Sequence, residues 1–317
     1  MTLPVIFLLG PTASGKTALA CAIARRYAVE IISVDAAQVY RGLDIGTAKA
    51  SEAERRICPH HLIDILAPDE SYSAARFRDD ALRLIDEVRA RGRVPVLAGG
   101  TMFYFNALLH GLPELPPADQ GLRAAIEARA ARQGWPALHA ELAGIDPRRA
   151  AEIGPADGQR IQRALEINTL TGGNVRRRAG VNDRPPWPLI RLALAPAGRD
   201  SLHRRIEARF RRMLETGFVD EVAGLLENYG NQPEPPSLRL VGYRQVSAYL
   251  RGQVGYNRMT EASIAATRRL AKRQLTWMRG QPALTWIDSD HPGAARGVSE
   301  YLASSPLMAA VPAPEGA

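Results

Sequence analysis

The stretch GPTASGKT, Gly10–Thr17, fits the phosphate-cradling pattern G-x-x-x-x-G-K-[ST]. Gly10 and Gly15 let backbone N–H groups turn inward on phosphate oxygens, and a following helix adds the positive end of its dipole. Lys16 supplies a point charge, and the Thr17 hydroxyl can ligate Mg²⁺. The diphosphate- or nucleotide-binding set is therefore Gly10, Pro11, Thr12, Ala13, Ser14, Gly15, Lys16 and Thr17. By default such a loop serves an ATP-binding enzyme in which phosphate is the group moved. A hydrolase of this type also offers an Mg²⁺-ordering Asp at the end of an apolar strand. VPVLAGG (Val94–Gly100) ends in glycines instead. IISVD (Ile31–Asp35) does end in a carboxylate, and Asp35 can serve either Mg²⁺ or proton removal.

These residues need a frame that brings them together. VIFLL (Val5–Leu9) reads as a buried strand before the loop, and TALACAIARRY as a helix after it. A helix is predicted over 71–91, with Phe77, Ala81, Leu84, Ile85 and Val88 on one face and Gly92 as its stop. Strands alternating with helices imply a parallel sheet covered on both faces. Ligands in such sheets sit at the carboxyl ends of the strands. Gly10, Asp35 and Gly99 all fall there. The expected class is α/β, a P-loop NTPase-like parallel sheet flanked by helices, with a helical insertion.

The divisions expected are a core over 1–116, an insertion over 117–187, a resumed core with basic helices over 188–290, and a disordered tail over 291–317. Pro-rich GLPELPPADQG and RPPWP bracket the insertion. LIRLALA (Leu189–Ala195) and LTWID (Leu284–Asp288) return as strands. Between them a helix carries Leu202, Ile206, Phe210, Met213 and Leu214 as its apolar stripe. Asp35 and Thr101 also have structural readings, a turn residue and a helix cap, and Asp44 and Lys49 can simply fold their own loop. His60 and His61 read as structural.

At 317 residues with 46% apolar and 23% charged content, the composition is that of a globular protein. No apolar run approaches the ~18–20 residues of a membrane span, and the first residues lack the basic region of a signal peptide. Two cysteines, Cys21 and Cys58, make neither a disulfide framework nor a zinc pattern. The cytoplasm is the expected compartment and a monomer the expected state. Forty-one Lys plus Arg against 33 Asp plus Glu leave a net charge of +8. That excess favours a polyanionic partner.

Six further motifs stand in register with the loop: SVDAAQVYRGLDIGTAK (Ser33–Lys49), PHHLID (Pro59–Asp64), AGGTMFYFNALL (Ala98–Leu109), DGQRIQRALEI (Asp157–Ile167), RLVGYRQ (Arg239–Gln245) and TRRLAKRQLTWMR (Thr267–Arg279). Together they resemble the tRNA dimethylallyltransferase family over most of residues 4–288. Two departures are Ala36, where the family commonly has Ser, and Leu240, where it commonly has Cys.

The resemblance implies transfer of a dimethylallyl group from its diphosphate to the N6 amine of the adenine 3′ of the anticodon. It implies Mg²⁺ as cofactor, and tRNA and dimethylallyl diphosphate as partners. Asp35 is then the general base, Thr101 holds the amine or the diphosphate, and Arg209 neutralises the leaving group, with Arg205 as alternate. The tRNA contacts it implies are Asp35, Ala36, Ala37, Gln38, Thr101, Arg123, Gln159, Arg160, Ile161, Gln162, Arg163, Arg239, Leu240, Val241, Gly242, Tyr243, Arg244, Lys272, Arg273, Gln274 and Arg279. By helical spacing Ile161, Leu165, Ile167 and Leu170 face a core, while Gln159, Arg160 and Arg163 face outward. The insertion is expected to grip the anticodon stem-loop. The rivals are a P-loop small-molecule kinase or ATPase, a prenyltransferase acting on free adenine nucleotides, and an RNA-binding protein that keeps the loop as a relic.

Overall fold

The computed structural model describes residues 3–173, 186–230 and 234–314. Its frame is a six-stranded parallel sheet: β1 (Val5–Leu9), β2 (Val29–Val34), β3 (His60–His61), β4 (Val94–Gly99), β5 (Leu189–Ala195) and β6 (Thr285–Asp288), in the order β3-β2-β4-β1-β5-β6. Both faces are covered, which is why β1 and β2 are buried along their whole length with no alternation. On one face the helices Ala74–Ala90 and Met102–His110 pack Phe77, Leu84, Ile85 and Phe105 against Phe7 and Leu97. On the other, Leu19 and Ile23 of the helix Lys16–Ala24 join Ile6, Leu8 and Val96. The apolar face of the helix Ala74–Ala90 is the one its spacing predicts, residue for residue.

The parallel register fixes the ends of the central strands. Leu9 and Val34 both lie opposite Gly99. Asp35, Gly10 and Gly100 therefore leave the sheet side by side along its carboxyl edge. Gly99 is required there, because a Cβ would lie 2.1 Å from the Val34 carbonyl oxygen.

The chain divides into two units, residues 1–109 with 184–317, and residues 110–183. The first includes a helical layer of its own. Leu202, Ile206 and Phe210 of the helix Arg199–Glu215 pack with Phe218, Tyr243 and Met259, and with Val39 and Leu43 from the loop after β2. Met213 and Leu214 are only partly buried against this cluster. The second unit is built from helices around Ile126, Leu138, Leu142, Ile161 and Leu165. Leu170, expected to face that core, is 42% exposed, because its helix Gly158–Thr171 runs out just beyond it. The second Pro cluster and the expected end of the insertion fall partly outside the described residues.

The tail departs from expectation. Residues 291–317 were to be disordered, yet Ala294–Ser304 is a helix that packs on the helix Lys16–Ala24 and β6, its Val298 and Leu302 buried in the cluster that holds Leu19, Ile23, Leu8 and Leu192, with Met308 beyond it. The segment's Ala, Gly, Ser and Pro content obscures three apolar anchors at helical spacing or just past it. The Ala28 N–H donates to the Pro312 carbonyl, closing this strap onto the start of β2.

Charge organises the second unit. Glu166 is fully buried and receives Arg123 Nε at 2.9 Å, Arg163 Nη1 at 2.6 Å and the Asp119 amide at 2.8 Å. Burial opposes its ionisation, but the hydrogen bonds from Arg123 and Arg163 prevail and hold the carboxyl below its usual range.

Two outcomes follow for stability. Leu302→Ala should cost about 2–5 kcal/mol in urea unfolding if the terminal helix belongs to the core; a change within experimental error would detach it. Glu166 has a depressed folded pKa, so its contribution is complete above the unfolded carboxylate value and lost as pH falls through the folded one. Hydrogen-exchange protection factors in the helix Gly158–Thr171, taken relative to the intrinsic rate at each pH, should therefore fall on acidification in the wild type. Glu166→Ala should expose those amides already at neutral pH, by about 3–5 kcal/mol, because two arginines lose their buried partner.

Candidate active site and RNA-facing surface

The phosphate loop joins β1 to the helix Lys16–Ala24. Gly15 precedes the helix with φ +91° and Ala13 also has positive φ (64°), which turns successive amides toward one side. Gly10 admits no side chain: a Cβ would stand 2.5 Å from Leu194 O and 2.6 Å from Ser14 Oγ. Ser14 Oγ is buried and has no hydrogen-bond partner, a donor suited to an anion's oxygen. Lys16 Nζ donates to Gly10 O at 2.9 Å and Pro11 O at 2.8 Å, which keeps the ammonium over the loop. Burial pulls its pKa down to about 8, opposed by the charge of Asp35 and aided by that of Arg209. Thr17 lies in the first helical turn, half-buried.

Asp35 follows β2 and Thr101 follows β4. Asp35 Oδ1 accepts the Ala37 amide at 2.9 Å, and Thr101 Oγ1 accepts the Ala36 amide at 3.0 Å. The turn expected of Asp35 is thus present, and it leaves Oδ2 out of that bond. Thr101 spends its oxygen across the sheet edge on Ala36, so a backbone amide reaches it at the position where the family has Ser. Gln38 Oε1 accepts from Ser33 Oγ at 3.0 Å, and its Nε2 reaches Ala48 O at 3.4 Å.

Arg209 and Arg205 separate clearly. Arg205 donates to Ser289 Oγ and O at 3.1 and 3.0 Å and pairs with Asp290 at 2.6 Å. Arg209 reaches Thr47 O at 3.5 Å, and burial lowers its pKa while Asp35 pulls the other way. Lys16 and Arg209 therefore both lie within electrostatic reach of Asp35, whereas Arg205 is bound to Ser289 and Asp290.

The loop between β2 and β3 is held from outside itself. Glu221 accepts the amides of Asp44, Ile45 and Gly46 at 2.8, 2.7 and 3.1 Å, and the Tyr243 hydroxyl donates to it at 2.6 Å. A Cβ at Gly46 would collide with the Phe218 and Tyr243 rings. Lys49 closes the loop from within, its Nζ bonded to Tyr40 O, Asp44 Oδ1 and Asp64 Oδ1 at 2.8, 2.6 and 2.5 Å. His61 bonds Glu30 at 2.7 Å and His60 bonds Cys58 O at 2.9 Å, so both histidines take part in internal contacts.

The expected tRNA contacts divide by exposure. Gln159, Arg160, Arg239, Arg244, Lys272, Arg273 and Arg279 are exposed, while Ala36, Ala37, Gln38, Leu240 and Val241 are half-buried. Four of them are buried. Ile161 is wholly buried in the core of the second unit. Tyr243 is 1% exposed, its ring under Phe218 and its hydroxyl on Glu221. Gln274 is buried, accepting the Thr12 amide and donating to Gly100 O. Gly242 is buried as well, at φ +94° before the helix Tyr243–Leu250. Arg123 and Arg163 are held by Glu166, and Gln162 Nε2 by Arg123 O and Glu127. Helical spacing turns Ile161 toward a core, as found, whereas Arg163, expected outward, is half-buried on Glu166, and the inward faces of Tyr243 and Gln274 depend on partners carried by other elements. Glu221 went unnoticed because nothing local marks a carboxylate that serves a loop nearly two hundred positions away.

The chain's likeness to known proteins extends over almost its whole length. A family model described as IPP transferase matches residues 38–281. A tRNA dimethylallyltransferase of Azoarcus sp. (strain BH72) is 58% identical over 278 residues, 87% of each chain. One from Paraburkholderia xenovorans is 55% identical over 300 residues, 93% of this chain and 95% of the relative. The solved tRNA isopentenylpyrophosphate transferase of Bacillus halodurans superposes with a TM-score of 0.69 at 39% identity, covering 95% of both chains. A eukaryotic dimethylallyltransferase acting on tRNA shares the fold, with a TM-score of 0.73 at 23% identity over 98% of this chain and 81% of that one. With two-thirds of its length and more matched in family and fold alike, this chain belongs to the IPP transferase family.

Proposed function

We propose that the protein transfers a dimethylallyl group from dimethylallyl diphosphate to the exocyclic N6 amine of the adenine 3′ of the anticodon in tRNA, with release of diphosphate. The observation that carries this reading is the row of Gly10, Asp35 and Thr101 along one sheet edge, with Lys16 and Arg209 in electrostatic reach of Asp35. A phosphate cradle and a carboxylate side by side suit a reaction in which the diphosphate leaves and a proton is removed from the nucleophile.

The adenine amine is a poor nucleophile, since its lone pair is delocalised into the ring. Asp35 accepts its N–H, which localises the pair, and takes the proton as the new N–C bond forms at the allylic carbon. The C–O bond breaks and its electron pair leaves on the diphosphate. Lys16, Arg209, the loop amides and Ser14 Oγ neutralise that charge. Thr101 holds Ala36 and the amine side in place. Among the described residues no group of three or more His, Cys, Asp or Glu could hold a metal ion. By its place in the phosphate loop Thr17 would hold Mg²⁺ together with diphosphate oxygens, and the ion would supply further charge neutralisation.

The tRNA is held by exposed cations. Arg239, Arg244, Lys272, Arg273 and Arg279 serve on the larger unit, and Gln159 and Arg160 on the helical unit, which grips the anticodon stem-loop. The target base leaves its stack to reach the sheet edge. The protein acts as a cytoplasmic monomer on this reading; no helix among the described residues is long and apolar enough to cross a membrane.

Purified protein with Mg²⁺ and dimethylallyl diphosphate should add one prenyl mass to a tRNA carrying adenine at that position. ATP consumption with unmodified tRNA would favour a kinase or ATPase, and transfer to AMP alone would move the acceptor to free nucleotides. Asp35→Asn should lower turnover about 10²–10⁴-fold while tRNA still binds; near-normal turnover would remove Asp35 as the base. The pH dependence follows from Lys16, which is charged below about 8 and loses its proton above. Bound diphosphate favours the ammonium, so pyrophosphate affinity should weaken as pH rises through that value. In Lys16→Ala that inflection should vanish from a calorimetric titration.

A further inference from the structure

Gln274 stands between two exposed cations' positions and the sheet edge, on the 24-residue helix Tyr256–Arg279. Lys272 and Arg273, its immediate predecessors, are exposed, whereas Gln274 is 8% exposed and turned inward. Its Oε1 accepts the Thr12 amide of the phosphate loop at 2.9 Å, and its Nε2 donates to Gly100 O at 2.8 Å. One carboxamide thus bridges the diphosphate cradle and the end of β4. Gly100 precedes Thr101, whose hydroxyl holds Ala36 beside Asp35. A carboxamide accepts at its oxygen and donates at its nitrogen; a carboxylate of the same length cannot donate and an apolar chain does neither. Gly100 is matched to it, because a Cβ there would lie 2.5 Å from Gln274 Nε2.

We propose that Gln274 is a positioning residue of the transfer reaction, setting the separation between the phosphate loop and the Asp35–Thr101 edge, and that it makes no contact with RNA. Without it the Thr12 amide and Gly100 carbonyl lose their shared buried partner, and the loop is free to move relative to the acceptor side. The turnover arm of the test rests on the function proposed above; the pyrophosphate arm does not, since any enzyme using this loop needs it placed.

Two variants test it in the full-length protein with Mg²⁺. Gln274→Glu keeps size and acceptor and deletes the donor, and Gln274→Met keeps volume with neither. Both should raise the calorimetric Kd for inorganic pyrophosphate about tenfold, the loss of roughly one buried hydrogen bond. Turnover should fall while tRNA affinity and its salt slope stay at the wild-type values. Arg273→Ala, one residue away, should do the reverse, reducing the salt slope by about one with pyrophosphate affinity unchanged. Unchanged pyrophosphate affinity in both Gln274 variants would overturn the proposal. So would a reduced tRNA salt slope in them, which would mark an RNA contact. A parallel fall of both affinities with the melting temperature would reduce Gln274 to a general packing role. If wild-type protein transfers no prenyl group but the variants still lose pyrophosphate, the function falls and the positioning role stands.

Discussion

Everything at the site depends on how closely β2 and β4 approach at their carboxyl ends. Gly99 lies opposite both Leu9 and Val34, and no side chain fits between it and the Val34 carbonyl. That contact sets the chain exits of three strands in one row, a strand spacing of about 4.8 Å apart. The phosphate loop, the carboxylate and the Thr101 hydroxyl are then neighbours by construction. A glycine-ended strand, odd for a nucleotide hydrolase, is what lets the acceptor side sit against the cradle.

A second theme is where the arginines go. The net charge of +8 suggests a surface for polyanions, yet several arginines are tied up inside the protein's own frame. Arg123 and Arg163 hold the buried Glu166, Arg91 holds Glu30 with two bonds, and Arg205 anchors Ser289 and Asp290. A buried carboxylate needs such partners, because unpaired it would be strongly destabilising. Cations left exposed on the long helix and around Arg239 and Arg244 are those free to meet phosphates. Net charge therefore overstates the RNA-binding surface and says nothing of its position.

The carboxylates show the same division of labour. Asp35 faces the charges of Lys16 and Arg209, Glu166 welds helices, and Glu221 fastens a loop by three successive amides. Tyr243 and Glu221 hold the loop whose Thr47 O accepts from Arg209.

Short-range order was legible in the amino-acid sequence. The phosphate loop with its strand and helix, the apolar face of the helix Ala74–Ala90, and the placement of Gly10, Asp35 and Gly99 at strand ends all follow from local pattern, since period and turn chemistry are local properties. Family and reaction class followed from motifs in register. What only the tertiary structure decided is which residues of the later motifs, RLVGYRQ and TRRLAKRQLTWMR, face inward. Gln274 and Tyr243 are buried beside exposed Arg273 and Arg244, and Arg205 pairs with Asp290 while Arg209, one turn away, lies within electrostatic reach of Asp35. The terminal helix was hidden for the same reason: Val298 and Leu302 are buried only because the helix Lys16–Ala24, more than two hundred and seventy positions earlier, presents Leu19 and Ile23 to the same cluster. Local pattern specifies elements, but a partner distant in sequence exists only once the chain has folded.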